Sequence, residues 1–179
     1  MTSVVKKNVL TYQTQRITLT SSKSLKETMT ELMEELNKNK AWLVVFEILA
    51  KSRSREEIEK KIGELTEAKR DFVLFAAASH SRWMSKFHGN IPEAYQITLG
   101  NPLIAQTFVP YDTRAGLYVP LRILVEEIAD GGTAVIYDLP SSQILGEHSP
   151  QNMKVAVYDL DEKLERMLVK VLQVTKSRL

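Results

Sequence analysis

Residues 95–142 constrain the fold more than any other part of this chain. They contain Tyr-Gln-Ile-Thr-Leu-Gly-Asn-Pro-Leu-Ile-Ala, then Tyr-Val-Pro-Leu-Arg-Ile-Leu-Val-Glu-Glu, then Thr-Ala-Val-Ile-Tyr-Asp-Leu-Pro-Ser-Ser. These are three runs dense in β-branched and aromatic residues, punctuated by Gly-Asn-Pro, Ala129-Asp130-Gly131-Gly132 and Leu-Pro-Ser-Ser. Such runs suit a pleated, half-buried surface, and such punctuation suits turns. Residues 95–99 read as a strand, and 117–127 and 133–137 as a hairpin. Asn101 is a natural helix cap, with Pro102 at the first helical position, where a missing amide costs nothing.

Helical signals flank this region. Ser24-Leu-Lys-Glu27 has the form of a capping box, and Leu25, Met29, Leu32, Met33 and Leu36 follow on one helical face. Residues 37–40 should end that helix. Before it, residues 1–13 read as an arm or weak strand, and 15–20 alternate as a strand with Ile17 and Leu19 on one side. Residues 41–50 fit a helix through Trp42, Phe46 and Leu49, and a strand through their density of Val, Ile and Phe; the helix is preferred. Ser54-Arg-Glu-Glu57 is a second box, continued by Ile58, Ile62 and Leu65. Residues 71–79 read as a buried strand. A short helix carrying Trp83, Met84 and Phe87 follows Ser79-His80-Ser81 and stops at His88-Gly89-Asn90. Ser141 is expected to cap a turn, and Asp159-Leu-Asp-Glu162 to start a last helix with Leu160, Leu164, Met167, Leu168 and Val171 inward. Long helices with a mainly antiparallel sheet make an α+β fold. The 179 residues fit one domain, 1–179, with the charged stretch of about 41–70 as a helical insertion.

Composition removes several function classes. The chain has no cysteine, so disulfides, thiolate metal sites and a cysteine nucleophile are excluded. The net charge of +2 is spread through mixed signs, and Lys6-Lys7 and residues 38–40 read as solvated surface, so no nucleic-acid partner is expected. No apolar run approaches the ~20 residues that span a bilayer, and the N-terminus lacks a signal-peptide pattern. The expectation is a cytoplasmic protein with no membrane partner. His80, His88 and His148 have no metal-ligand spacing, and there is no phosphate loop, dinucleotide fingerprint or Gly-x-Ser-x-Gly elbow, so neither metal nor cofactor is expected.

Gly100-Asn101-Pro102 and Val119-Pro120-Leu121-Arg122-Ile123-Leu124-Val125 make the middle of the chain resemble the family called domain of unknown function 302. The match is best over residues 71–144. Leu139-Pro140-Ser141-Ser142 and His80-Ser-Arg-Trp83 resemble a fungal branch of it. The resemblance implies a two-layer fold similar to the TATA-binding-protein-like β-α-β4-α architecture, with a long helix across a curved, mainly antiparallel sheet. It implies no DNA binding, because a fold does not carry a function.

Two residues stand out as candidate chemistry. His80 lies where a strand gives way to a helix, a place suited to a base or a donor to a small ligand; the alternative is a structural histidine at a core edge. Arg122 falls on the strand face shared by Tyr118, Pro120, Leu124 and Glu126, opposite Leu117, Val119, Leu121, Ile123 and Val125. Among such neighbours it either reaches water, meets an anionic ligand or pairs with a carboxylate, with Glu47, Glu93 and Asp138 as partners; the ion pair is slightly favoured. Tyr95, Tyr118 and Tyr137, on adjacent predicted strands, are placed to line a cavity or to pack. Trp83 is read first as core, and otherwise as part of the same cavity. Three functions follow in order. The first is a small-molecule-binding domain for an acidic or phenolic metabolite, lined by His80, Trp83, Tyr95, Tyr118, Arg122 and Tyr137. The second is a cofactor-independent lyase, isomerase or hydrolase with His80 as general base and Arg122 or a tyrosine stabilising the oxyanion. The third is a structural or self-association module, a homodimer docking through 41–70.

Overall fold

The structure, a computed structural model, describes residues 5–36 and 42–173, with the backbone alone at 42 and 43. The expected helix end at 37–40, the basic cluster at 38–40 and the Trp42 side chain lie outside the described residues.

The described residues begin with an arm of no regular structure, 5–15, and strand β1 (Arg16–Ser21), followed by helices α1 (Leu25–Glu35), α2 (Trp42–Lys51) and α3 (Arg55–Leu65). Strand β2 (Val73–Ser79), helix α4 (His80–His88), strand β3 (Ala94–Gly100) and the one-turn helix α5 (Pro102–Ala105) come next. A 3-10 turn at Thr113–Leu117 leads into β4 (Leu121–Glu127) and β5 (Thr133–Asp138), and the chain ends with α6 (Pro140–Ile144) and α7 (Gln151–Leu172). Long helices and a wholly antiparallel five-stranded sheet, in the order β1-β5-β4-β3-β2, make the fold α+β.

Local chemistry accounts for most boundaries. Ser24 accepts from the Glu27 amide at 3.3 Å while Glu27 accepts from the Ser24 amide at 3.2 Å, a complete capping box. The second box is half formed: Ser54 accepts from the Glu57 amide, but the Glu57 carboxylate takes the Arg53 amide instead. Asn101 accepts from Leu103 N ahead of Pro102, and Gly89, at φ 74°, ends α4. Residues 42–51 are helical, with Val45 and Ile48 buried one turn apart.

Four expectations need correction. Residues 117–120 are not strand, because the Asp112 carboxylate accepts from Arg114 N and caps a 3-10 turn, and Pro120 has no amide to give a ladder. Strand β2 is buried only at its start: it is an edge strand, and Ala76, Ala77 and Ala78 are exposed. Helix α7 begins eight residues before Asp159, since Met153 and Val157 extend the inward stripe by two turns. Ser141 does not cap; Leu139 occupies that position before Pro140, and the Ser141 amide donates to Asp161 on α7 at 2.9 Å.

The core lies on one side of the sheet. Ile123, Val125, Val135, Ile97 and Leu99 point to that side, where α1 and the 22-residue α7 lie next to each other across it. At ~1.5 Å per residue, α7 is roughly 33 Å long, enough to cross the whole sheet. Thr28 of α1 donates to Thr133 of β5, which donates to the Lys23 carbonyl, pinning α1 with satisfied buried hydroxyls. A satellite core of Val45, Ile48, Ile62, Leu65 and Val73 holds α2 and α3 to the sheet's β2 side. The other sheet face is covered at the start of β2, where Val73 meets α2 and α3, and is open across the middle of the sheet, carrying Arg16, Thr18, Arg122 and Ala78 exposed and Gln96, Leu124, Ile136 and Asp138 half-buried.

Gly132 closes the β4–β5 turn so tightly against β1 that a Cβ there would fall on the Ser21 carbonyl oxygen, whereas Gly116 faces open space. Gly132→Ala is expected to cost roughly 1–3 kcal/mol and Gly116→Ala less than about 0.5 kcal/mol, read from urea midpoints; equal midpoints would contradict this packing.

Candidate functional site

The open face gains a depression because its two central strands part. The β4–β5 ladder ends at the Ile123/Tyr137 pair, while β3 follows β4 to Leu121 and β1 follows β5 to Asp138. Arg122 and Asp138 would be the next cross-strand neighbours, and between them opens a groove of about 390 Å³. Leu124 and Ile136 supply apolar floor, Arg16 and Thr18 one bank, Gln96 and His80 the other. Tyr118 and Gln143 stand at the parting end, where Tyr137 and Leu164 reach the groove from the core side.

The charge pattern follows from who pairs with whom. Arg16 grips Asp138 with two hydrogen bonds, Nε to Oδ1 at 2.7 Å and Nη2 to Oδ2 at 3.1 Å. That engages the carboxylate nearest Arg122. Glu47 pairs with Lys51, and Glu93 lies 3.5 Å from the Tyr95 hydroxyl. The favoured ion-pair reading of Arg122 is therefore overturned: among the described residues its guanidinium, which is exposed, has no hydrogen bond or ion pair. Exposure also removes any desolvation cost of leaving it unpaired. With Arg16 neutralised, the groove carries one uncompensated positive charge.

His80 is the first residue of α4, half-buried, with its ring edge-on to Trp83 at 6.5 Å and no side-chain hydrogen bond among the described residues. Ser79 caps the helix through Arg82 N, so the cap does not use the imidazole. Trp83 is not core: it is 52% exposed and continues into Phe87, 76% exposed, on the outer face of α4. Tyr95 lies on the opposite face of β3, packed on the helix-covered core, and does not line the groove. Tyr118 lies before β4, not on it, and shares a 2.6 Å hydrogen bond with Tyr12 of the N-terminal arm; that bond, then partial burial, raises its pKa. The arm is further stitched to the groove's end by Gln15 N to Ser142 Oγ and Leu139 N to Gln15 O.

Tyr137 is the most unusual member. It is 4% exposed, and its hydroxyl has no hydrogen-bond partner among the described residues, although buried tyrosines usually find one. Burial, reinforced by the negative charges of Glu165 and Asp161, pushes its pKa up to about 12. Burial also raises Asp161, against the hydrogen bonds it accepts from Ser141. Of the six residues expected to line a cavity, the structure thus brings His80, Tyr118, Arg122 and Tyr137 to one groove and leaves Trp83 and Tyr95 outside it. Sequence reasoning missed Arg16, Thr18, Gln96 and Gln143. The outward alternation of Arg16 and Thr18 against Ile17 and Leu19 was visible, but not that β1 would lie beside β5. Among the described residues no three His, Asp or Glu side chains gather to hold a metal, and no helix is long and apolar enough to cross a membrane.

The sequence profile of the family described as "Domain of unknown function DUF302" matches residues 48–171. The chain belongs to this family. The crystal structure of an uncharacterized conserved DUF302 protein from Bacillus stearothermophilus superposes with a TM-score of 0.60 at 15% identity, over 87% of this chain and 97% of that one. At that identity the likeness concerns the fold alone. No curated protein sequence matches the chain. Within this DUF302 fold the groove sits on the open face of the sheet, at its centre.

The Tyr137 shift has a signed consequence. A phenol whose folded pKa exceeds its unfolded value stabilises the fold fully below about pH 10, and the contribution is lost as pH rises through about 12. Ultraviolet titration is expected to show Tyr137 resisting ionisation between these values, and Tyr137→Phe to remove its step and its share of alkaline destabilisation. A Tyr137 that ionises with the exposed tyrosines would refute the burial argument.

Proposed function

We propose that this DUF302 protein is a small-molecule-binding domain whose open-face groove takes an acidic metabolite, a carboxylate or a phenol-carboxylate. The observation that carries this reading is the exposed, unpartnered Arg122 guanidinium in a groove whose other arginine is already neutralised. A guanidinium offers a planar fork that matches a carboxylate, and charge-assisted hydrogen bonds are the stronger class. His80, Gln96 and Tyr118 add donors around the same space, Leu124 and Ile136 add apolar contact, and the groove's volume falls within the ~300–1,000 Å³ usual for small ligands.

The test is a thermal-shift and calorimetry panel of benzoate, salicylate, 4-hydroxybenzoate and short aliphatic acids. At least one aromatic acid is expected to bind, with Arg122→Gln weakening it by about tenfold or more, equivalent to ~1.4 kcal/mol. Because the Arg122 side chain is exposed and makes no hydrogen bond or ion pair among the described residues, the variant should keep the wild-type melting temperature. Absence of any shift across the panel, or an Arg122→Gln variant that binds as well as the parent, would sink the proposal.

A second reading has one observation in its favour: His80 and Arg122 line the same groove, the condition a base–oxyanion pair requires. If the bound acid is also transformed, proton NMR of the mixture will show product accumulating. His80→Gln should then slow that accumulation by ~10²–10⁴-fold while leaving binding intact. Unchanged turnover in His80→Gln would eliminate His80 as the base.

A further inference from the structure

A second concavity lies at the end of the sheet, under helix α2. It measures about 400 Å³ and is lined by Phe46 and Leu49 of α2, Phe75 of β2, Ala105 of α5 and the Val119-Pro120 segment. Its floor is formed by Phe72, Phe108 and Leu160, exposed by only 1%, 0% and 2%. The two proline motifs singled out in the sequence, Asn101-Pro102 and Val119-Pro120, converge here. Gly100 permits that approach: a Cβ on it would stand 3.2 Å from Pro120 Cβ and 3.3 Å from the Phe75 ring.

Helix α2 is apolar on two sides. Val45 and Ile48 fill the satellite core, while Phe46 and Leu49, 50% and 40% exposed, overhang the concavity, with Phe46 edge-on to Phe75 at 6.1 Å. The chemistry of the lining indicates what the bowl would take. Among the described residues no lining group is ionisable. Asn101 is engaged at both its oxygen and its nitrogen, accepting from Leu103 N and donating to the Asp71 carbonyl, both at 2.9 Å, and Gln106 donates to the Leu103 carbonyl at 3.3 Å. A charged or polar ligand would leave its groups unpaired there. A concavity with a fully buried floor suits a molecule that enters it, and its volume lies in the ~300–1,000 Å³ range of small-molecule sites.

We propose that this bowl is a second binding site, distinct from the Arg122 groove, that takes a neutral apolar small molecule. The probe is Nile red, a neutral apolar dye whose emission rises and shifts to the blue on leaving water. Titration of the full chain is expected to saturate with one site per chain. Leu49→Glu, at the exposed rim, and Ala105→Phe, which fills the bowl, should each weaken the dye by about tenfold or more. Arg122→Gln in the groove and Phe87→Ser on the outer face of α4 should leave it unchanged. Far-ultraviolet circular dichroism checks that the variants fold; if Ala105→Phe does not, Leu49→Glu decides alone. A titration that never saturates, dye affinity untouched by Leu49→Glu, or loss of binding in Phe87→Ser would each overturn the proposal. So would light scattering showing a dimer whose formation excludes the dye, which would assign the bowl to a second copy of the chain.

Discussion

Over its central strands this sheet is covered on one face, by α1 and α7, and the rest of the structure depends on that asymmetry. A strand sends successive side chains to opposite faces, so β4 can carry Leu121, Ile123 and Val125 to α1 and α7 only by sending Arg122, Leu124 and Glu126 the other way. As the central strand, β4 puts that outward set in the middle of an uncovered surface. A second helical layer there would bury Arg122 without a partner, at several kcal/mol. One-sided burial is therefore what allows a free guanidinium to exist in this fold.

The groove is then shaped by a local failure of pairing and by a competition between arginines. If β4 and β5 stayed in register to their ends, Arg122 would face Asp138 across a filled ladder. Instead the strands part after Ile123/Tyr137, and Arg16, one strand further out, takes Asp138 with bidentate geometry. The parting also explains why Tyr137, a core residue, meets the groove with an unengaged hydroxyl. The short segment from Tyr118 to Leu121 separates this charged space from the apolar bowl: Tyr118 lines one, Val119 and Pro120 the other, and Leu121 both. Polar and apolar recognition are thus divided by four residues that form no regular structure until β4 begins.

Elements whose signal is local were legible in the chain. The Ser24–Glu27 box, the Asn101-Pro102 start, the Gly89 stop and the inward stripe from Leu160 to Val171 each depend on residues within a turn or two of one another, and each is present. Expectations failed where a local pattern was ambiguous or lost to a neighbour. The alternation at 117–120 looked like strand, yet a side-chain cap at Asp112 drew it into a 3-10 turn. Asp159-Leu-Asp-Glu162 looked like a helix start but lies mid-helix, where Asp159 pairs with Lys163. Trp83 looked like core because tryptophans are usually well buried, yet it lies on the exposed side of α4.

Read alone, the chain pointed to the α+β class, to an order of strand, helical region, several strands and final helix, and to the two faces of β4 from Leu121 onward, because periodicity and capping act over a few residues. It grouped His80, Arg122, Tyr118 and Tyr137 with Trp83 and Tyr95 as the lining of one cavity, without fixing which of the six would meet. Tertiary structure decided that these four share one groove, that Tyr95 and Trp83 do not, that Asp138 belongs to Arg16, and that two proline motifs enclose an apolar bowl. Those outcomes depend on which strands become neighbours across more than a hundred residues of chain, as Arg16 and Asp138 do. Such pairing is set by the burial of the whole sheet face rather than by any segment of it.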